Sequence, residues 1–413
     1  MSDPDSAPPS RARTFAVATA ALVLLAIALG LVLTEVVLRT AGPRETHYFV
    51  LRPNLRVEFD PDPRLTPGIE GRARFSVNSL GLRGDELPPG DSVRRILVVG
   101  GSTSENVYLD DTETWTHVLQ SALARAGGPP VWVAAAGRGG MNARDHVVQV
   151  ARLLESIPRP DRLVVLVGVN DLTVALAQGD TFRPPPPLSD AEARKAQERR
   201  AFAIVPGALH ENLSPAAAST WYKRTALWQA ANRVRAGFGT RSGRRDLQQD
   251  TRAQAVQRWR EARARAPKRR EDLPSLDGAL AEYRRNLEAV VSLADAKGIP
   301  VSFLTQPSLW RADLDSTAVR LLWFGGLGDF QSRQVDEYYS PAALAKAMAA
   351  FNAELLSVCA ARALGCFELA ERIPRNTDYF FDDVHFTERG AAAVGEVVAA
   401  WLAPTLGMRA SVP

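Results

Sequence analysis

From Phe15 to Leu33 the chain is almost wholly apolar and carries no charge, and after Glu35 the apolar pattern resumes through Leu38. At about 1.5 Å per residue, a helix of this length crosses a hydrocarbon layer of about 30 Å. The stretch is longer than the apolar part of a usual signal peptide, and no A-x-A cleavage pattern follows it. Residues 15–38 therefore read as an uncleaved signal anchor behind a short arm, 1–14, with a cleaved signal peptide as the alternative. Arginines lie on both sides of the span (Arg11 and Arg13 before it, Arg39, Arg44 and Arg52 after it), so charge does not orient it. The brevity of the arm favours an inside N-terminus and a body outside the cytoplasm, on the periplasmic side in a Gram-negative cell.

Beyond the anchor, residues 39–93 are rich in Pro and Arg with short alternating runs such as Arg74-Phe-Ser-Val-Asn78, which suggests a stalk with a small β element. Fully apolar runs then recur: Arg95–Val99, Val131–Ala135, Leu163–Val167, Val301–Leu304 and a short one at Cys366–Leu369. Helix-like segments separate them at 112–126, 143–157, 276–296, 342–363 and 388–403. Strands apolar on both faces and spaced by helices predict an α/β domain, a doubly wound (flavodoxin-like) parallel sheet of about five strands spanning 94–405. Its ligand site belongs at the carboxyl ends of the strands. Between Asp171 and Leu273 no strand-like run stands out, so 173–275 reads as a helical insertion or lid, and 406–413 as a tail.

Composition narrows the chemistry. Hydrophobic residues are 46% and charged residues 23% of 413, and the net charge is +4, so nothing in the balance calls for a nucleic-acid partner. Two cysteines and five histidines in no HExxH or clustered pattern leave no metal site or cofactor to expect. Cys359 and Cys366 bracket a helix–strand junction and are read either as a disulfide or as two buried thiols.

Four strand tips carry reactive or hydrogen-bonding groups. The first is Gly100-Gly101-Ser102-Thr103-Ser104-Glu105, where two glycines permit a sharp turn that presents the serine; a helix N-cap is the bland reading. The second, Ala136-Gly137-Arg138-Gly139-Gly140-Met141-Asn142, brings bare backbone close to whatever lies over the sheet. The third, Gly168-Val169-Asn170-Asp171, offers an amide or a helix cap. Near the C-terminus, Asp382-Asp383-Val384-His385 places carboxylate and imidazole three residues apart on a turn before a helix. A doubly wound sheet brings these loops to one edge. Together they hold a nucleophile, a base, an orienting acid and oxyanion donors, the parts of an acyl-transfer site.

On these four blocks, over 94–172 and 297–403, the sequence resembles the SGNH/GDSL hydrolases. The upstream Asn78-Ser-Leu-Gly-Leu-Arg-Gly84 looks like the membrane-anchored bacterial branch of that family. The resemblance implies Ser102 as nucleophile, His385 as general base and Asp382 as the acid orienting it. The oxyanion donors implied are the N–H of Ser102, the N–H of Gly140 and the side-chain amide of Asn170. Three positions depart from or blur the family pattern: Gly101 stands where the family name implies Asp, Ala135 where Asn is usual, and Asp383 adjoins Asp382.

The function expected is hydrolysis of an acyl ester, an O-acetyl group on a carbohydrate or lipid, outside the cytoplasm and through an acyl-serine. Two alternatives share the fold: an O-acyltransferase that passes acetyl to a polysaccharide with the same triad, and a non-catalytic binding or assembly protein. The absence of a G-x-S-x-G elbow at Ser102 argues against an α/β-hydrolase. The basic run Arg252, Arg258, Arg260, Arg263, Arg265, Lys268, Arg269, Arg270 is either a landing strip for anionic glycans or headgroups or a solvated helix surface. Trp221, Trp228, Trp259, Trp310 and Trp323 are read either as lining a sugar or acyl site or, by default, as core.

Overall fold

The computed structural model describes residues 11–40, 49–90, 92–202, 225, 227, 228, 231 and 251–408. The chain divides into two units, Met1–Thr46 with His210–Gly243, and His47–Leu209 with Arg244–Pro413.

The first unit is built on the helix Arg11–Thr40. Its segment Ala18–Leu38, 21 residues, is long and apolar enough to cross a membrane, and none of it is buried. Phe15, Leu22, Leu24, Leu29 and Leu33 all face outward. A second helix of suitable length and apolarity, Pro341–Ala361, is instead partly covered and packs into the core of the other unit.

Among the described residues the second unit contains nine strands. Strands β1 (Arg56–Phe59) and β2 (Ala73–Ser76) form an antiparallel pair with Val57 opposite Phe75. The main sheet consists of β3 (Arg94–Gly100), β4 (Val131–Gly137), β5 (Arg162–Leu166), β7 (Val301–Leu304) and β9 (Gly365–Phe367) in the order β4-β3-β5-β7-β9. Every pairing in it is parallel. This is the flavodoxin-like doubly wound order read from the apolar runs. Strands β6 (Lys268–Arg270) and β8 (Glu337–Tyr339) form a separate parallel pair.

The central strands are apolar on both faces because helices cover both: Ile96, Leu97, Val98 and Val99 are fully buried, as are Leu163 and Val164. The chain leaves β3 for β4 on one side and returns to β5 on the other, so the tip of β3 lies at the topological switch point where doubly wound sheets bind ligands. The helix Glu388–Leu402 lies close against Trp115–Arg125, because a side chain at Gly395 would stand 2.5 Å from Val118 Cβ and 2.8 Å from the Trp115 carbonyl. That packing anchors the loop that precedes Glu388.

Three expectations about the domain limits change. Residues 49–90 are not a stalk. Val50, Val57, Phe59, Ile69, Phe75, Val77 and Leu82 are buried in the main core, since alternation along β1 and β2 turns one face of that pair inward. The insertion 173–275 contains a strand, β6, whose basic sequence Lys-Arg-Arg hid it, besides the helices Ala191–Phe202 and Thr251–Arg265. Much of 203–250 lies outside the described residues. The tail packs as far as Met408, which is buried against Gly128. Cys359 and Cys366 are joined as a disulfide with Cα atoms 6.2 Å apart, linking the end of Pro341–Ala361 to β9.

Candidate active site

At the tip of β3 the chain turns through Gly101 into a single helical turn, Ser102–Glu105, closed by Asn106 in the left-handed conformation (φ 51°). The N–H groups of Ser104 and Glu105 return to the Gly101 carbonyl at 3.1 and 3.0 Å. Beneath this turn lies Gly137, where any side chain would collide with the Ser104–Glu105 backbone. Arg83, from the Asn78–Gly84 segment, braces the turn from outside. Its fully buried guanidinium donates to the carbonyls of Glu105 (2.6 Å), Asn106 and Leu109 (2.6 Å). Burial pushes Arg83 down to about 10, against the pull of Asp111 and Glu105.

The loop before Glu388 supplies the imidazole. His385 Nε2 lies 2.8 Å from Ser102 Oγ, and His385 Nδ1 lies 2.7 and 2.9 Å from the two oxygens of Asp382. Asp382 Oδ1 also accepts the N–H groups of Val384 (3.0 Å) and His385 (2.9 Å), and Oδ2 accepts the Trp323 indole N–H (3.0 Å). Burial alone would raise this carboxyl. The charges of His385 and Arg260 and the bonds from His385 and Trp323 outweigh it and hold Asp382 below the usual range. An ionised acid against Nδ1 keeps the ring proton there, leaving Nε2 to accept from the serine hydroxyl. The His385 ring stacks on Phe381, with centroids 5.6 Å apart, and Phe381 packs edge-on against Tyr108.

Asp383 is held in a different place. Its Oδ1 accepts the Trp310 indole N–H (2.7 Å), and its Oδ2 accepts the backbone N–H groups of Trp323 (2.7 Å) and Phe324 (3.3 Å). Burial, then the Asp382 charge, push it upward. The two neighbouring carboxyls are thus separated by direction: one meets the imidazole, the other ties down the 310–324 segment.

The glycine-rich tip after β4 is also pinned. Arg138 N–H donates to the Gly100 carbonyl (3.1 Å), and Gly139 N–H to Glu105 Oε2 (2.8 Å). Gly140 adopts φ +78°, and its N–H has no partner among the described residues. Asn170 Nδ2 donates to the Met141 carbonyl (2.7 Å), and its second amide hydrogen has no partner among the described residues. Asp171 accepts the Ala143 N–H with both oxygens at 3.1 Å, joining the Asn170 tip to the end of the glycine loop.

The two departures from the family blocks, Gly101 and Ala135, meet different surroundings. A Cβ on Gly101 would stand 2.7 Å from Asn170 Nδ2, so an aspartate in that position would displace the amide. Ala135 is buried in β4, and its N–H and carbonyl pair with Arg83 at 2.8 and 2.9 Å.

Pattern reading missed Trp310, Trp323, Glu105 and Arg83 as parts of the site. The tryptophans are buried as expected, yet each indole N–H ends on one of the two carboxylates. The basic run is corrected at two positions: Arg260 and Arg263 are buried and donate to carbonyls, so neither a landing strip nor a solvated face describes them. Arg258, Arg265, Lys268 and Arg269 are exposed, and the Arg252 side chain lies outside the description.

A doubly wound sheet whose switch point carries a hydroxyl, an imidazole and a carboxylate in one hydrogen-bonded series has the makeup of an esterase that works through serine. The sequence matches the GDSL-like lipase/acylhydrolase family over residues 96–398, and the chain belongs to that family, whose enzymes act on ester bonds. Similar solved structures include a carbohydrate acetylesterase family member from Sinorhizobium meliloti, with 13% identity, 76% of this chain and 100% of that one covered, and a TM-score of 0.39. A psychrotrophic esterase, EstA, from Pseudoalteromonas sp. has 10% identity, covers 77% and 100%, and scores 0.38. The lipase/acylhydrolase from Enterococcus faecalis has 12% identity, covers 77% and 100%, and scores 0.36. A search of curated proteins with this sequence returns no match.

Proposed function

We propose that this protein is a serine esterase that removes a small acyl group, acetyl, from a carbohydrate or lipid outside the cytoplasm. The observation that carries the reading is the continuous chain Ser102 Oγ, His385 Nε2, His385 Nδ1 and Asp382. Ser102 Oγ bonds to the ester carbonyl carbon as its proton passes to His385 Nε2. The oxyanion is met by the N–H groups of Ser102 and Gly140 and by the second amide hydrogen of Asn170. Collapse breaks the bond to the alkoxy oxygen, which leaves with the proton from His385. Water, deprotonated by the same nitrogen, then releases the acid and restores the serine.

The outward-facing apolar helix Ala18–Leu38 supports an anchor, and the Cys359–Cys366 disulfide supports an oxidising compartment. The deciding experiment is a series of p-nitrophenyl esters of increasing chain length, run on wild type and on Ser102→Ala. Turnover that is greatest for acetate and absent in the variant is expected; turnover that survives in Ser102→Ala overturns the reading. Adding glycan acceptors separates hydrolysis from transfer: free acetate that falls while acylated glycan appears assigns the acyl group to a sugar instead of water.

A further inference from the structure

Asp382 and Asp383 are adjacent in sequence, and both are buried. Among the described residues their side-chain oxygens meet N–H donors, with His385 Nδ1 a donor in the tautomer that an ionised Asp382 favours. Asp382 faces the N–H groups of Val384 and His385, His385 Nδ1 and Trp323 Nε1. Asp383 faces Trp310 Nε1 and the N–H groups of Trp323 and Phe324. A proton on either carboxyl would therefore point at a donor. The surroundings suit two carboxylates, although two like charges this close and out of water ordinarily share a proton.

The opposing charge comes from one helix, Thr251–Arg265, in the insertion. Arg260 and Arg263 lie three residues apart on one face and are both buried. Arg260 donates to the carbonyls of Leu321 (3.0 Å), Leu65 (2.7 Å) and Phe381 (2.9 Å), the last of these being the residue before Asp382. Arg263 donates to the carbonyls of Phe324 (2.5 Å) and Tyr339 (2.8 Å). Their hydrogen bonds go to backbone, so they act on the carboxylates through space: Arg260 on both, Arg263 on Asp383. The other ionisable groups in reach are His385 itself, Tyr108 beside Arg260, and Arg269 and Tyr338 beside Arg263. The same helix also stacks Trp259 on Trp323, with centroids 4.7 Å apart, and so steadies the indole that reaches Asp382.

We propose that Arg260 and Arg263 are positioning residues of the triad, whose charges keep Asp382 and Asp383 ionised together so that Asp382 stays an acceptor for His385. The inference rests on the triad reading above and makes the insertion helix part of the catalytic support.

The test is the pH profile of kcat/KM for p-nitrophenyl acetate in wild type, Arg260→Gln, Arg260→Lys, Asp383→Asn and the double variant Arg260→Gln/Asp383→Asn. Removing a cation raises the proton affinity of both carboxyls. The acid limb of Arg260→Gln is therefore expected to move up by about one pH unit, a loss of about tenfold below the limb and far less in alkali. Arg260→Lys keeps the charge and keeps the limb in place. In the double variant one negative charge leaves with the positive one, and the limb returns toward that of Asp383→Asn. A folded Arg260→Gln whose activity drops equally at all pH values, or not at all, overturns the proposal. If Arg260→Gln alone does not fold, the double variant decides: folding restored supports the charge balance, and failure to fold where Asp383→Asn folds overturns it. Ser102→Ala, run alongside, keeps the two readings apart. Turnover in Ser102→Ala sinks the triad itself, whereas an inactive Ser102→Ala with an unmoved Arg260→Gln limb sinks only this inference.

Discussion

The turn that presents Ser102 and the loop that presents His385 meet at 2.8 Å but are built by opposite means. The serine turn is held by close backbone packing. Gly137 leaves no room for a side chain, a Cβ on Gly101 would press on the Asn170 amide, and the turn closes on the Gly101 carbonyl within five residues. The histidine loop is held by side chains from far along the chain: Trp310, Trp323 and Arg260 reach it across 59 to 121 positions. The first region tolerates little change in volume. The second tolerates little change in charge or in its donors.

Four substitutions test that contrast and a fifth tests stability, in order of decreasing effect. Ser102→Ala is expected to lower kcat by about six orders of magnitude by removing the proposed nucleophile, and Asp382→Asn by about four by imposing the wrong tautomer. Steady-state turnover of an acetyl ester measures both, and a mild Asp382→Asn phenotype would mean that the loop does not depend on its charge. Gly101→Asp restores the residue of the family name yet pushes on Asn170. A loss of about two to three orders of magnitude in kcat is expected, as for a missing oxyanion donor. Full activity in that variant would break the claim that the serine side is limited by volume.

Trp323→Phe keeps an aromatic ring but removes the N–H that reaches Asp382, together with part of the ring system stacked on Trp259. Loss of a hydrogen bond to a charged group predicts a fall in kcat/KM of about tenfold or somewhat more, and the lost ring area a thermal midpoint lower by a few degrees, an amount too small to account for the activity. Equal losses of stability and activity would make the indole ordinary packing.

The smallest effect concerns stability alone. Burial pushes Asp171 up to about 7, against the bond from Ala143 N–H. The folded state then holds a proton that the unfolded chain releases near its ordinary value. Stability therefore falls as pH rises from about 4 to about 7 and levels off above. Asp171→Asn should flatten that decline in denaturant melts, and an unchanged slope would show that Asp171 does not cause it.

How far each region could be read in advance follows from the same contrast. The five strands of the main sheet were visible as runs apolar on both faces, and the helices between them as amphipathic stretches. Ser102, Gly140, Asn170, Asp382 and His385 stood at strand tips or on a turn, in motifs only a few residues long. The structure brings Ser102, His385 and Asp382 into hydrogen-bond contact, and it leaves Gly140 N–H and one Asn170 hydrogen unpartnered among the described residues. Residues 49–90 were misread as a stalk because strands of four residues carry too little periodicity to announce a core. The basic run was misread because a charged residue in an exposed-looking helix gives no local sign of carbonyls waiting 2.7 to 3.0 Å away.

What the sequence determined by itself was whatever depends on neighbours a few positions apart: the apolar helix near the N-terminus, the order of strands and helices, the glycine turns and the Asp-x-x-His spacing. Only the tertiary structure decided which of two adjacent aspartates meets the imidazole, which tryptophans and arginines hold that pair, and what a side chain at Gly101, beside the serine, would press on. Those choices depend on donors and excluded volume contributed by residues distant in the chain, and such contacts exist only once the sheet has closed its edge.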